Sequence, residues 1–153
     1  MFKSEQEMSI KFEKFLKKNF GNSYFKEYEG LFGIPDFLFF QKENKQSMLV
    51  ISFELKLKDW RRAAIQAFRY KSFSNIAYVV LPNNSAMNAL NNINIFETYN
   101  IGLASFNGED FFEILYMPKA TSPYSNSLST KLTEVIKKKK TKSKNVEMLV
   151  TSC

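Results

Sequence analysis

Apolar side chains recur at helical spacing over residues 4–19, where Met8, Phe12, Phe15 and Leu16 share one stripe. Gly21-Asn22 ends that helix. Over 23–29, Tyr24, Lys26 and Tyr28 alternate with Phe25, Glu27 and Glu29, which predicts a strand. Two glycines and a proline between 30 and 35 predict a turn. A strand follows over 36–41, then a polar turn over 42–46, then the clearest strand of the chain over 47–57. There Leu49, Ile51, Phe53, Leu55 and Leu57 fall on one face and Met48, Val50, Ser52, Glu54 and Lys56 on the other. Asp59 can cap a helix running from Trp60 to about Phe73, in which Trp60 reads as a core residue.

Ala77–Leu81 is a buried type of strand stopped by Pro82. Residues 85–92 predict a short helix in a stretch rich in asparagine, a poor helix former. Strands over 101–106 and 111–116 are joined through Asn107-Gly108, a hairpin signal. The order α-β-β-β-α-β, then α-β-β, interleaves helices with one sheet and predicts an α/β (α+β) fold. Residues 118–129 are rich in Pro, Ser, Thr and Asn and read as a linker, with a last helix from about 130 into a lysine run. The expected division is a domain over 1–117 and a linker with a basic tail over 118–153.

At 153 residues, with 44% apolar and 16% aromatic residues, the chain can bury a core. It has no histidine, which excludes imidazole acid–base chemistry and His-ligated metals. Its one cysteine, Cys153, leaves no intrachain disulfide or cysteine metal site. No apolar leader or membrane-length run is present, so a cytoplasmic protein without membrane contact is expected. The net charge is +7, but residues 131–144 carry +6 of it, with seven lysines against Glu134. The remainder is nearly neutral. Lys137, Lys138, Lys139 and Lys140 therefore read either as a solvated helix end or as a non-specific phosphate contact.

Candidate chemistry lies at the hairpin of the second and third strands. An antiparallel pairing about residue 45 places Asp36 near Glu54, with Lys56 beside it. Two carboxylates a few ångströms apart repel unless a cation lies between them. Mg²⁺ (or Mn²⁺) is held by one or two carboxylates with waters and substrate phosphates. A neighbouring ammonium can position a water and steady charge developing on phosphate.

Gly33-Ile34-Pro35-Asp36 followed by Glu54-Leu55-Lys56 resembles the signature of the PD-(D/E)xK nucleases, the restriction-endonuclease-like fold. The α-β-β-β-α-β order matches that family's core, a central mixed sheet flanked by helices. Gln66-Ala67-Phe68-Arg69-Tyr70 is similar to the Gln-x-x-x-Tyr motif of one subgroup. The resemblance spans residues 4 to about 106. It implies that Asp36 and Glu54 ligate the metal with the backbone carbonyl of Leu55, and that Lys56 is the catalytic lysine. It implies that Gln66 and Tyr70 orient the site or touch DNA. The first helix of the family often supplies another acid, for which Glu5 is preferred and Glu29 is a lesser candidate. Lys58, Arg61 and Arg62 read as phosphate contacts.

The expected function is metal-dependent hydrolysis of phosphodiester bonds in DNA, with RNA left open and a homodimer compatible with the fold. A second reading is a non-catalytic nucleic-acid-binding or docking subunit of a larger complex. A third is a vestigial site with a tail that binds an acidic partner.

Overall fold

The alternation along 47–57 sorts two sets of side chains onto opposite faces of one strand, and the fold is built around that division. The computed structural model describes residues 1–44 and 47–150. The polar turn expected over 42–46 lies partly outside the described residues, and Cys153 lies outside them.

The chain runs through α1 (Glu5–Phe20), β1 (Tyr24–Lys26), β2 (Phe37–Lys42), β3 (Met48–Leu55), α2 (Trp60–Tyr70) and β4 (Ile76–Leu81). It continues through α3 (Asn83–Leu90), α4 (Ile93–Tyr99), β5 (Gly102–Phe106), β6 (Phe112–Tyr116) and α5 (Asn126–Lys137), with a 3-10 turn at Glu147–Leu149. The strands form one mixed sheet in the order β1-β2-β3-β4-β5-β6. The two outer pairs on the β1 side and the β5–β6 pair are antiparallel, whereas β3–β4 and β4–β5 are parallel. The fold is α+β, with the sheet between helices on both faces.

On one face α1 lays Met8, Phe12, Phe15, Leu16 and Phe20 against Phe37, Phe39, Ile51, Phe53 and Phe106. Phe12 is the hub, with ring centroids 5.2–5.5 Å from Phe37, Phe53 and Phe106. Ser4 caps α1 by accepting from the Glu7 N–H, and its first turn carries Glu5 and Glu7, which suit the positive helix end. On the other face α2 packs Ala63, Ala67 and Tyr70 over Leu38, Val50, Val79 and Leu103. Asp59 caps α2 through the Arg62 N–H, as its position predicts.

Several boundaries differ from expectation. β1 covers only three residues, because Glu27 turns the chain with φ +52°. A second helix, α4, occupies 93–99, where asparagine enrichment gave no helix signal. It is held by the buried Phe96 and by Lys71, itself 1% exposed, whose Nζ donates to the Tyr99 and Asn100 carbonyls. The β5–β6 connection is longer than a two-residue hairpin turn, with the Asn107 N–H donating to Phe111 O.

Residues 118–129, expected as a linker, lie along the body: Thr121, Tyr124 and Ser125 N–H groups donate to the carbonyls of Asn75, Lys71 and Ser72. α5 starts at Asn126 under a Ser125 cap and buries Leu132 and Ile136. Beyond the lysine run the chain returns to α1. Lys144 N–H donates to Phe20 O, Val146 and Leu149 enter the α1-side core, and Tyr78 Oη donates to Leu149 O at 2.8 Å. Among the described residues no helix is long and apolar enough to cross a membrane.

Candidate active site

The β2–β3 register pairs Phe37 with Phe53, so Asp36, one residue before β2, faces Glu54, the penultimate residue of β3. Both project to the α2 side of the sheet by the two-residue alternation. The Leu55 N–H donates to Asp36 Oδ2 at 2.7 Å and fixes that carboxylate. Glu54 is 5% exposed, and its Oε1 lies 2.5 Å from the Tyr70 hydroxyl. That hydroxyl also lies 2.9 Å from the Ile34 carbonyl, so its one proton serves either acceptor.

Burial and mutual repulsion set the electrostatics. Desolvation pushes the Glu54 carboxyl up to about 8, helped by the Asp36 charge and opposed by the Tyr70 hydrogen bond and Lys56. Desolvation also raises Asp36, to about 6, against the Leu55 hydrogen bond and Lys56. Desolvation and the Glu54 charge push the Tyr70 phenol above its usual value, so it stays a donor. Two carboxylates held together in this way resist double ionisation until a cation compensates them.

Lys56 follows β3 directly, its backbone held by an N–H bond to Val80 O at 3.2 Å. Its ammonium bears on both carboxylates through its field, and it makes no ion pair within 4 Å among the described residues. The next residue is tethered from both sides: Leu57 N–H donates to Glu5 Oε2 at 3.2 Å, and Leu57 O accepts from Ser85 Oγ. Glu5 thus reaches across from α1, exposed yet near enough for its charge to raise both carboxyls. Gln66 sits one turn before Tyr70 on α2, and its Oε1 is buried without a hydrogen-bond partner. An orphaned acceptor of this kind costs free energy unless a donor arrives.

Sequence reasoning missed Glu27, whose N–H donates to Asp36 O at 3.0 Å and whose charge also raises Asp36. No motif marks it; Glu29, the lesser candidate from the sequence, is exposed like Glu27 but is not among the charges that raise Asp36. The loop itself is positioned by Gly33. With φ +78°, an added Cβ there would stand 2.9 Å from Tyr70 Cε1. Gly33→Ala is therefore expected to cost about 1–3 kcal/mol, from left-handed strain plus a displaced ring. Gly30→Ala also has a positive φ, but its Cβ meets only Lys131 Nζ at 3.8 Å, so it should cost less. Thermal denaturation of the two variants checks this; equal losses would contradict the packing of the loop on Tyr70.

The basic residues divide. Lys58, Arg61 and Arg62 are exposed around the start of α2, whereas Glu54 meets α2 at its far end through Tyr70; the Arg61 guanidinium lies 4.4 Å from the Trp60 ring. The lysine run is elsewhere. Lys42 Nζ donates to Lys139 O, which anchors the run at the far end of β2 from Asp36, roughly 20 Å along the strand. Lys137 pairs with Glu134 at 3.8 Å, and Lys139 lies 5.0 Å from the Phe25 ring. Lys138 and Lys140 are exposed.

Among the described residues no three Asp, Glu, Cys or His side chains gather closely enough to hold a metal ion. The oxygen donors that come together are the carboxylates of Asp36 and Glu54, the first of them held by the Leu55 N–H. This sparse, all-oxygen set suits a hard cation that keeps several waters and a substrate phosphate, as Mg²⁺ does. No protein-family profile, curated protein or solved structure matches this chain.

Proposed function

We propose that this protein is a metal-dependent nuclease of the PD-(D/E)xK type that hydrolyses phosphodiester bonds in DNA. The observation that carries the reading is the convergence of Asp36 and Glu54, both raised by burial, with Lys56 adjoining. The order α1-β1-β2-β3-α2-β4, with antiparallel β2–β3 and parallel β3–β4, supports a restriction-endonuclease-like core.

Asp36, Glu54 and the Leu55 carbonyl would hold Mg²⁺ or Mn²⁺. When bound, such an ion supplies Lewis-acid polarisation of a phosphoryl oxygen and a lowered water pKa. Lys56 orients the attacking water and places positive charge where phosphate charge develops. Tyr70 holds the Glu54 carboxylate in place through its hydroxyl. Gln66 offers its free acceptor to a water or to a substrate N–H. Glu5 steadies the Lys56–Leu57 segment. Lys58, Arg61 and Arg62, exposed around the start of α2, are the candidate contacts to substrate phosphates.

The alternative is a nucleic-acid-binding or docking subunit without its own catalysis. It draws on the exposed lysines at the opposite end of β2. Metal binding separates the two readings first. Saturating Mg²⁺ or Mn²⁺ is expected to stabilise the protein by about 2–3 kcal/mol at a hundredfold excess over Kd. Differential scanning calorimetry reads this as a higher Tm, and the gain should vanish in Asp36→Ala. An equal gain in wild type and variant would contradict a metal site at Asp36.

A further inference from the structure

The outer side of α2 carries a feature that phosphodiester hydrolysis does not require. Between α2, α4 and the loop before Asp36 lies a groove of about 510 Å³. Its walls include Phe32, Trp60, Ile65, Phe68 and Tyr99. Ile65 is 58% exposed, Tyr99 49% and Phe32 48%, an unusual concentration of exposed apolar surface for a body this polar. Arg61 and Arg69 also line it, and no acidic side chain does. Both guanidinium groups already lie over rings, Arg61 4.4 Å from Trp60 and Arg69 5.5 Å from Phe32.

We propose that this groove holds the unpaired bases of a single-stranded stretch of nucleic acid, a proposal that rests on the nuclease reading of the adjoining carboxylate site. Aromatic rings interleaved with arginines match the two surfaces of a single strand: flat apolar bases and anionic phosphates. A duplex turns its bases inward and offers no faces to such a groove. The loop joins the two features. Phe32 walls the groove, while the next residue, Gly33, packs on the Tyr70 ring whose hydroxyl meets Glu54. A strand lying in the groove would therefore be delivered beside the carboxylates. A second copy of the chain is a poor occupant, because a two-fold interface would gather the Arg61 and Arg69 of both copies on one surface with no acidic side chain to offset them.

Trp60 is the sole tryptophan and, though only 9% exposed, lies in the groove wall under the Arg61 guanidinium, so its fluorescence responds when a ligand displaces or engages that arginine. The full chain carrying Asp36→Ala, in EDTA, is titrated with an oligothymidylate of about twelve nucleotides, a span that such binding surfaces take. The expected result is saturable quenching by the single strand, with duplex of equal length binding at least about tenfold more weakly. Phe68→Ala and Ile65→Glu are each expected to weaken single-strand binding about tenfold or more. Ile65 is exposed enough that its replacement should leave Tm unchanged. Three results would overturn the proposal: no quenching by oligothymidylate, equal affinity for duplex, or affinity indifferent to Ile65→Glu. Concentration-dependent dimerisation abolished by Ile65→Glu would also overturn it, in favour of a second copy. Metal-dependent cleavage by wild type without groove binding would sink this inference alone. Groove binding without any cleavage would sink the nuclease reading instead.

Discussion

Glu54→Gln is expected to raise the Tm of the protein in the absence of divalent metal, by about 5–10 °C above pH 8, and to abolish cleavage. Burial and the Asp36 charge lift the folded-state Glu54 carboxyl from 4.5 to about 8. A raised carboxyl keeps its proton longer in the folded protein than in the unfolded chain. Below the unfolded value both states are protonated and no penalty exists. As pH rises from about 4.5 to about 8, the unfolded chain ionises first and stability falls; above 8 the penalty is complete. Its size is on the order of 2–4 kcal/mol. Glutamine is neutral at every pH and keeps an oxygen for the Tyr70 hydroxyl. The gain over wild type should therefore shrink towards zero near pH 5. A pH series of thermal melts on both proteins checks the curve. A variant less stable than wild type throughout would show that Glu54 is there for structure.

Lys56→Ala should separate chemistry from binding. Its ammonium touches neither carboxylate in an ion pair within 4 Å, yet its field lowers both. Loss of one preorganised positive group at a developing phosphate charge costs about 10²–10³ in rate. The same loss removes a cation that competes with divalent metal for the site. The metal-induced rise in Tm should thus be kept or enlarged while single-turnover cleavage falls. Concurrent loss of both would mean that Lys56 maintains the structure of the site, and the catalytic role assigned to it would be wrong.

The parts of the fold legible in the sequence were those fixed by short-range rules. Period-two alternation sorted the side chains of β3 onto their two faces, and a turn near residue 45 gave the register that brings Asp36 to Glu54. Asp59 marked the start of α2 because an N-cap is a local hydrogen bond. The parts that escaped depend on contacts between distant residues. α4 forms in poor helix-forming sequence because Lys71, from the end of α2, satisfies its terminal carbonyls. Val146 and Leu149 follow a lysine run whose charge conceals two apolar anchors. Glu27 bears on Asp36 only because the loop folds back, a consequence of backbone angles that no motif encodes. The groove behind α2 needed the three-dimensional meeting of Phe32 with Phe68 and Tyr99. Arg61 was legible as a candidate contact, but its ring partners were not.

The central claim is that the Asp36–Glu54 pair is a divalent-cation site serving phosphodiester hydrolysis. The most direct measurement is cleavage of labelled single-stranded, flapped and duplex DNA by wild type and Asp36→Ala, in Mn²⁺, in Mg²⁺ and in EDTA. The account predicts cleavage by wild type with metal only, absent in Asp36→Ala. Cleavage that persists in EDTA or in Asp36→Ala, or a folded wild type that cuts none of the substrates, would contradict it.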